Sequence, residues 1–200
     1  MDTVIAICLG IGLSAACGFR VFVPMLAAGV AARAGILTLG DDFTWIASTP
    51  ALAAFGIATL LEIGGYYIPW LDNLFDTISS PAAVIAGTIA TAAFLSKTEM
   101  SPLLLWSIAI IAGGGSAGIV KGGTTTVRAA STATTGGSTN FVVSTLELIA
   151  SFVMSVLAIF VPILAAILVI VLFIVAMRFI IRRFRKPASP ITNEVKRSTQ

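Results

Sequence analysis

Histidine is absent from this 200-residue chain, and charge is scarce, with only 10% of residues being Asp, Glu, Lys or Arg. The first absence removes the commonest general base and the commonest transition-metal ligand. No metal, cofactor or enzymatic activity is expected, because a serine or threonine nucleophile in the membrane would need Lys121 as its base. The second absence excludes a soluble domain. Such a domain carries about 25% charged residues, and one of this size lacks the interior to hide a composition that is 58% hydrophobic. Cysteine is nearly missing as well. Cys8 and Cys17 lie in one apolar segment, roughly 13 Å apart along a helix axis, which excludes a disulfide between them. They read as small buried hydrophobes. A signal peptide is not expected either, since Asp2 stands where a positive n-region belongs.

What the chain has instead is long apolar runs. A bilayer core needs about 20 apolar residues per helix, and residues 3–17, 50–68, 81–96, 102–120, 140–160 and 161–181 are candidate spans. Pro50, Pro81, Pro102 and Pro162 open or nearly open four of them, as proline does in a first helical turn. Pro162 is the one breaker in the run 141–181, which implies a tight helical hairpin. Residues 24–37 and 122–137 fit no span and suggest half-helices or re-entrant segments, since polar backbone facing lipid costs several kcal/mol per group. The expected fold is therefore all-α and polytopic, with about six transmembrane helices and two half-helices.

An internal duplication is expected across 1–98 and 99–186, ahead of a disordered tail at 187–200. Each half has a small-residue break, a cation close behind it (Arg20, Lys121), and a glutamate in similar wording, Thr59-Leu60-Leu61-Glu62 and Thr145-Leu146-Glu147. With three spans per half the repeats are inverted, the plan of many transporters. The net charge of +3 divides into +6 from Arg178 onward and −3 before it. The cluster Arg178, Arg182, Arg183, Arg185 and Lys186 follows an apolar run and so places the C-terminus in the cytoplasm. Anionic headgroups explain that cluster without nucleic acid.

An ionisable residue at membrane depth costs about 2.5–3.5 kcal/mol. Unpaired, Glu62, Glu147, Arg20, Lys121 and Arg128 would together cost on the order of 10–15 kcal/mol, against a total stability of roughly 5–15 kcal/mol. They must be paired, hydrated or both. One reading is a polar site at the repeat interface. The other is two salt bridges, Arg20 with one glutamate and Arg128 with the other. Asn140, Ser144, Glu147, Ser151 and Ser155 recur at helical spacing on one face, and Thr124, Arg128, Ser131 or Thr132, and Thr135 make a second stripe. The corresponding face around Glu62 is small, with Ala54, Ala58 and Gly65, and suits close packing.

The run Gly113-Gly114-Gly115-Ser116-Ala117-Gly118 spells G-x-G-x-x-G, but an apolar helix rather than a strand precedes it, which rules out a dinucleotide fingerprint. A glycine-rich turn leading into Lys121, Thr124 and Arg128 suggests an anion cradle at a helix N-terminus. Asp72 and Asp76, one turn apart beside Trp70 and Phe75, read as an amphipathic interfacial segment or a place to gather protons.

Gly18-Phe19-Arg20-Val21-Phe22-Val23-Pro24, then Glu62, then Asp76 before Pro81, begin a pattern over most of residues 5–165. Ser116-Ala117-Gly118 leading to Lys121, Arg128-Ala129-Ala130, and Asn140 followed by Leu146-Glu147 complete it. The pattern resembles a bacterial membrane family known as domain of unknown function 4126. The resemblance implies a multi-span inner-membrane protein and carries no activity with it. The family's Asn-x-Ser-Pro stretch after the arginine and its second acidic residue after the glutamate are replaced here by residues 131–137 and Leu148.

The expectation is a small transporter or lipid-handling protein of the bacterial inner membrane. Arg20, Lys121, Thr124, Arg128 and Asn140 would bind a phosphate or headgroup-like anion, with Glu62, Glu147, Asp72 and Asp76 as proton-coupling groups or counter-charges. The alternative is a non-transporting structural or assembly factor whose buried charges only join helices. Expected partners are membrane lipids and a second copy of the chain, met through a small-residue surface such as Ala83 and Gly87.

Overall fold

The computed structural model describes residues 2–66, 68–136 and 139–184. Every regular element among them is helical. In chain order these are α1 (Thr3–Phe19), α2 (Phe22–Arg33), a short 3-10 helix (Asp41–Ala47), α3 (Thr49–Gly65) and α4 (Pro69–Leu95). They continue with α5 (Pro102–Ile108), a π-helical turn (Ala109–Gly114), α6 (Gly115–Thr135), α7 (Asn140–Phe160) and α8 (Pro162–Phe184).

Short polar side chains start several of these helices. Asp2 accepts from the Val4 N–H at the head of α1, Ser48 from Ala51 ahead of α3 and Ser101 from Leu104 ahead of α5. Proline occupies the first turn in the last two, where its missing N–H costs nothing. Arg20 is extended (φ −141°, ψ 129°), which separates α1 from the 12-residue α2. The short segment expected over 24–37 is a helix that runs from Phe22 to Arg33.

Three expectations need correction. Pro81 does not open a helix but lies inside α4, which starts at Pro69. The glycine-rich stretch after Ile108 does not break the chain: Pro102–Thr135 is one helical path of 34 residues, so 122–135 continues that helix and is not a separate half-helix. The glycines cost helix propensity but let helices meet. A Cβ on Gly113 would collide with the Thr91 hydroxyl of α4 and sit 2.8 Å from the Gly87 carbonyl oxygen. Finally, Gly87 and Ala83 are not a dimer surface. A Cβ on Gly87 would lie 2.7 Å from Ala117 and 3.3 Å from Ser14, and Ala83 is fully buried.

Among the described residues, three helices are long and apolar enough to cross a membrane, at Leu74–Leu95, Pro102–Thr135 and Asn140–Phe160. The 3-10 helix with α3, bent by 56°, makes a fourth if the pair is one span. α1 is apolar but has only 17 residues, so length alone does not reach the expected six. α1 is the central helix and packs on α4, α7, α6 and α2. Ala158 and Ala165, on either side of the break at Pro162, close on its Gly12. From Ile170 onward α8 forms a unit of its own, with an apolar exposed surface up to Met177 and then the exposed Arg178 and Arg182. The side chain of Arg183, together with Arg185, Lys186 and the tail 187–200, lies outside what the structure describes.

Polarity is inverted relative to a soluble protein. Leu103 is 81% exposed and Ile111 75%, whereas Arg20 is 1% and Glu147 4% exposed. A surface of that kind is unfavourable in water and costs nothing against hydrocarbon.

Candidate functional site: a buried ion network beside a polar cleft

The break after α1 turns Arg20 into the interior. Gly18 permits this, because a Cβ there would lie 2.6 Å from the Ala117 carbonyl oxygen and from Val120 of α6. The Arg20 guanidinium donates to the Glu62 carbonyl at 3.3 Å, to the Ser144 carbonyl at 2.9 Å and to the Ser144 hydroxyl. Its Nε has no partner, and among the described residues it forms no salt bridge. The expected pairing of Arg20 with a glutamate carboxylate is therefore replaced by backbone and hydroxyl contacts.

Glu62 has another task. Its carboxylate accepts the N–H groups of Val21 (3.0 Å) and Phe22 (3.3 Å). α2 has no side-chain cap of its own, so α3 supplies one from elsewhere in the fold and sets a negative charge at the positive end of the helix.

Tyr66, at the end of α3, joins the charges together. The Arg20 and Arg128 guanidinium carbons each lie 4.1 Å from its ring centroid, within cation–π range. Its hydroxyl receives a hydrogen bond from Lys121 Nζ (3.1 Å), lies 3.0 Å from the Ser79 hydroxyl, and donates to Asp76 Oδ1 (3.2 Å). Lys121 Nζ also reaches Asp76 Oδ1 at 2.9 Å. Arg128 pairs with Glu147 through Nε (3.0 Å) and a second contact from its terminal nitrogen, the fork geometry that guanidinium and carboxylate favour. Arg128 Nε also stands 3.9 Å from Asp76 Oδ2.

The structure thus brings together six of the expected residues: Arg20, Lys121 and Arg128 with Glu62, Asp76 and Glu147. The serine face of α7 divides its work. Ser144 serves Arg20, whereas Ser151 donates to the Ala16 carbonyl of α1 at 3.0 Å and Ser155 to its own helix. Thr124 is buried, donates to the Lys121 carbonyl within α6 and does not line the cleft described below. The expected anion cradle at a helix N-terminus is absent, because Gly114 and Gly115 are helical residues inside a continuous path. The Asp72 side chain lies outside the described residues. Asp76 is not an exposed interfacial carboxylate but part of the network. Tyr66 escaped sequence reading, although its place four residues after Glu62 puts it on the same helical face.

A polar cleft of about 770 Å³ reaches this network between α4, α6 and the start of α7. Asp76, Ser80, Thr125, Arg128, Thr132 and Asn140 line it. The Asn140 amide donates to Thr132 at 3.1 Å, and the buried Thr125 hydroxyl has no partner. A second groove of about 670 Å³, between α2 and α7, is apolar apart from Thr59. Among the described residues no three His, Cys, Asp or Glu side chains cluster as metal ligands.

Apolar helices outside and a charged network within define an all-helical protein of the membrane type. The chain belongs to the family described as domain of unknown function (DUF4126), whose model matches residues 7–182. Neither a curated protein nor a solved structure matches it.

Proposed function

We propose that the chain is a small membrane transporter or lipid-handling protein whose cleft receives an anionic group, a phosphate or a lipid headgroup, against Arg128. The observation that carries this reading is the cleft. Ion pairs that only joined helices would need no polar space of about 770 Å³ beside them, and Thr125, whose hydroxyl has no partner, lines the same cleft as Arg128. Lys121 and Arg20 support the site from behind rather than lining it. The finer placement belongs to the same proposal: a bacterial inner membrane, a cytoplasmic C-terminus set by the basic residues after Ile181, six crossings and an inverted repeat. The similar wording around Glu62 and Glu147, and the cation behind each small-residue stretch, support the repeat.

A specific observation favours the structural alternative. Both Lys121 and Arg128 already have carboxylate partners. Thr125→Val separates the two readings, because it removes a hydroxyl that makes no hydrogen bond and nearly preserves volume. Thermal unfolding in detergent is measured with and without phosphate and phosphatidylglycerol. On the transport reading, ligand raises the wild-type midpoint, by about 2.7 kcal/mol of stabilisation at a hundredfold excess over Kd. Thr125→Val keeps the unliganded midpoint and loses most of that increment. No ligand-dependent shift in wild type leaves the structural reading standing.

A further inference from the structure

We propose that the anion enters with a proton, and that Asp76 is the seat of that proton. The inference rests on the reading of the cleft as an anion site and adds its coupling ion. With all six groups ionised, the three cations and three carboxylates of the network balance. A singly charged oxyanion placed against Arg128 leaves one negative charge uncompensated in a desolvated interior, which is the unfavourable case for buried charge. Uptake of one proton by a carboxylate restores neutrality.

Only one of the three carboxylates is placed to take it. Glu62 spends both oxygens on the N–H groups of Val21 and Phe22. Glu147 is held by the Arg128 fork, does not line the cleft, and has a side chain only 5% exposed. Asp76 lines the cleft, and its side chain is 13% exposed. The groups that touch it are Tyr66 at the end of α3 and Lys121 and Arg128 from α6; one contact further away stand Arg20, on the Tyr66 ring and the Glu62 carbonyl, and Glu147 of α7, on Arg128. A neutral Asp76 no longer competes for Arg128, which lines the cleft, and leaves the charge of Lys121 behind it uncompensated, so the field at an oxyanion in the cleft becomes more positive. The proton passes from water in the cleft to a carboxylate oxygen of Asp76 and returns when the anion leaves.

The shared ligand chemistry is a phosphodiester-like monoanion, free or on a lipid. The full chain in phosphatidylcholine nanodiscs is titrated with dimethyl phosphate, whose single charge is constant over the working range. Proton uptake is followed with an indicator dye in weak buffer, from about pH 5 to about pH 8. A parallel set of nanodiscs contains phosphatidylglycerol. Competition there identifies a lipid headgroup as the preferred source, and unchanged affinity identifies a free anion, with the proton accompanying either. The expected result is uptake approaching one proton per anion, and an affinity that falls up to about tenfold per pH unit toward the alkaline end. Asp76→Asn raises the affinity at alkaline pH toward the acid-side value and abolishes both the slope and the uptake. The wild-type proton count needs no substitution, so a variant that fails to fold leaves the test intact. Binding without proton uptake or pH dependence overturns the role of Asp76 and spares the anion site. No binding of either phosphodiester at any pH overturns both.

Discussion

Arg128 and Glu147 show how a charge is kept in an apolar interior. Their side chains are 3% and 5% exposed, so neither has water to fall back on. Breaking such a pair from one side costs about 3–5 kcal/mol, whereas replacing both members with apolar side chains is often neutral. Glu147→Gln is therefore expected to lower the unfolding midpoint strongly, and the double replacement Arg128→Leu with Glu147→Leu to recover most of the loss. Thermal unfolding of both variants beside wild type checks this, and a double variant as unstable as the sum of the single ones contradicts it. Arg20, Glu62, Lys121, Arg128 and Glu147 were legible as members of this interior, because insertion cost selects an Arg, Lys or Glu inside an apolar run. Asp76 was not selected that way and read only as interfacial or proton-gathering. The partners were not legible either. Lys121 and Asp76 are 45 positions apart, and no local pattern links them. Arg20 rests on two carbonyls, a hydroxyl and a ring, and backbone acceptors carry no residue-type signal.

At the scale of elements, the glycines decide which helices touch. Gly113 meets Thr91 and Gly87 of α4, and Gly114 meets Thr88. Gly113→Ala places a methyl group against backbone and a hydroxyl that itself bonds Ser14 at 2.8 Å. Overpacking of this kind costs about 1–3 kcal/mol, and a fall in the midpoint with an unchanged helical circular dichroism spectrum is the expected signature. Gly122 and Gly123 face open space, so alanine at either should be neutral or slightly stabilising and serves as the control. Helix starts marked by Pro50 and Pro102 were readable as local chemistry, as was the span Asn140–Phe160. The continuity of Pro102–Thr135 and the inclusion of Pro81 inside α4 were not. In both cases a locally unfavourable residue is tolerated because the neighbouring helices hold the segment in place.

For the whole molecule, inverted polarity separates two kinds of ion pair. Lys97 and Asp41 meet at 2.7 Å, but the Asp41 side chain is 93% exposed. Salt screens charges of that kind within about 10 Å at 0.1 M and reaches enclosed pairs far less. Raising the salt from about 0.05 M to about 1 M should leave the unfolding midpoint of wild type and of Lys97→Ala nearly equal and nearly constant. A midpoint that falls steeply with salt in a melt of the wild type would show that the network is open to solvent. The overall class, all-helical and apolar outside, was legible from the shortage of charge. The number of crossings was not, because α1 and α2 are held by their neighbours at lengths where hydropathy alone is undecided. The π-helical turn acts across the same distance. Each α-helical residue advances the azimuth by about 100°, and a turn that holds one residue more shifts the phase of everything beyond it. Lys121 and Arg128, seven residues apart, share that phase. The direction in which both cations point is thus fixed upstream, by a turn that touches neither of them.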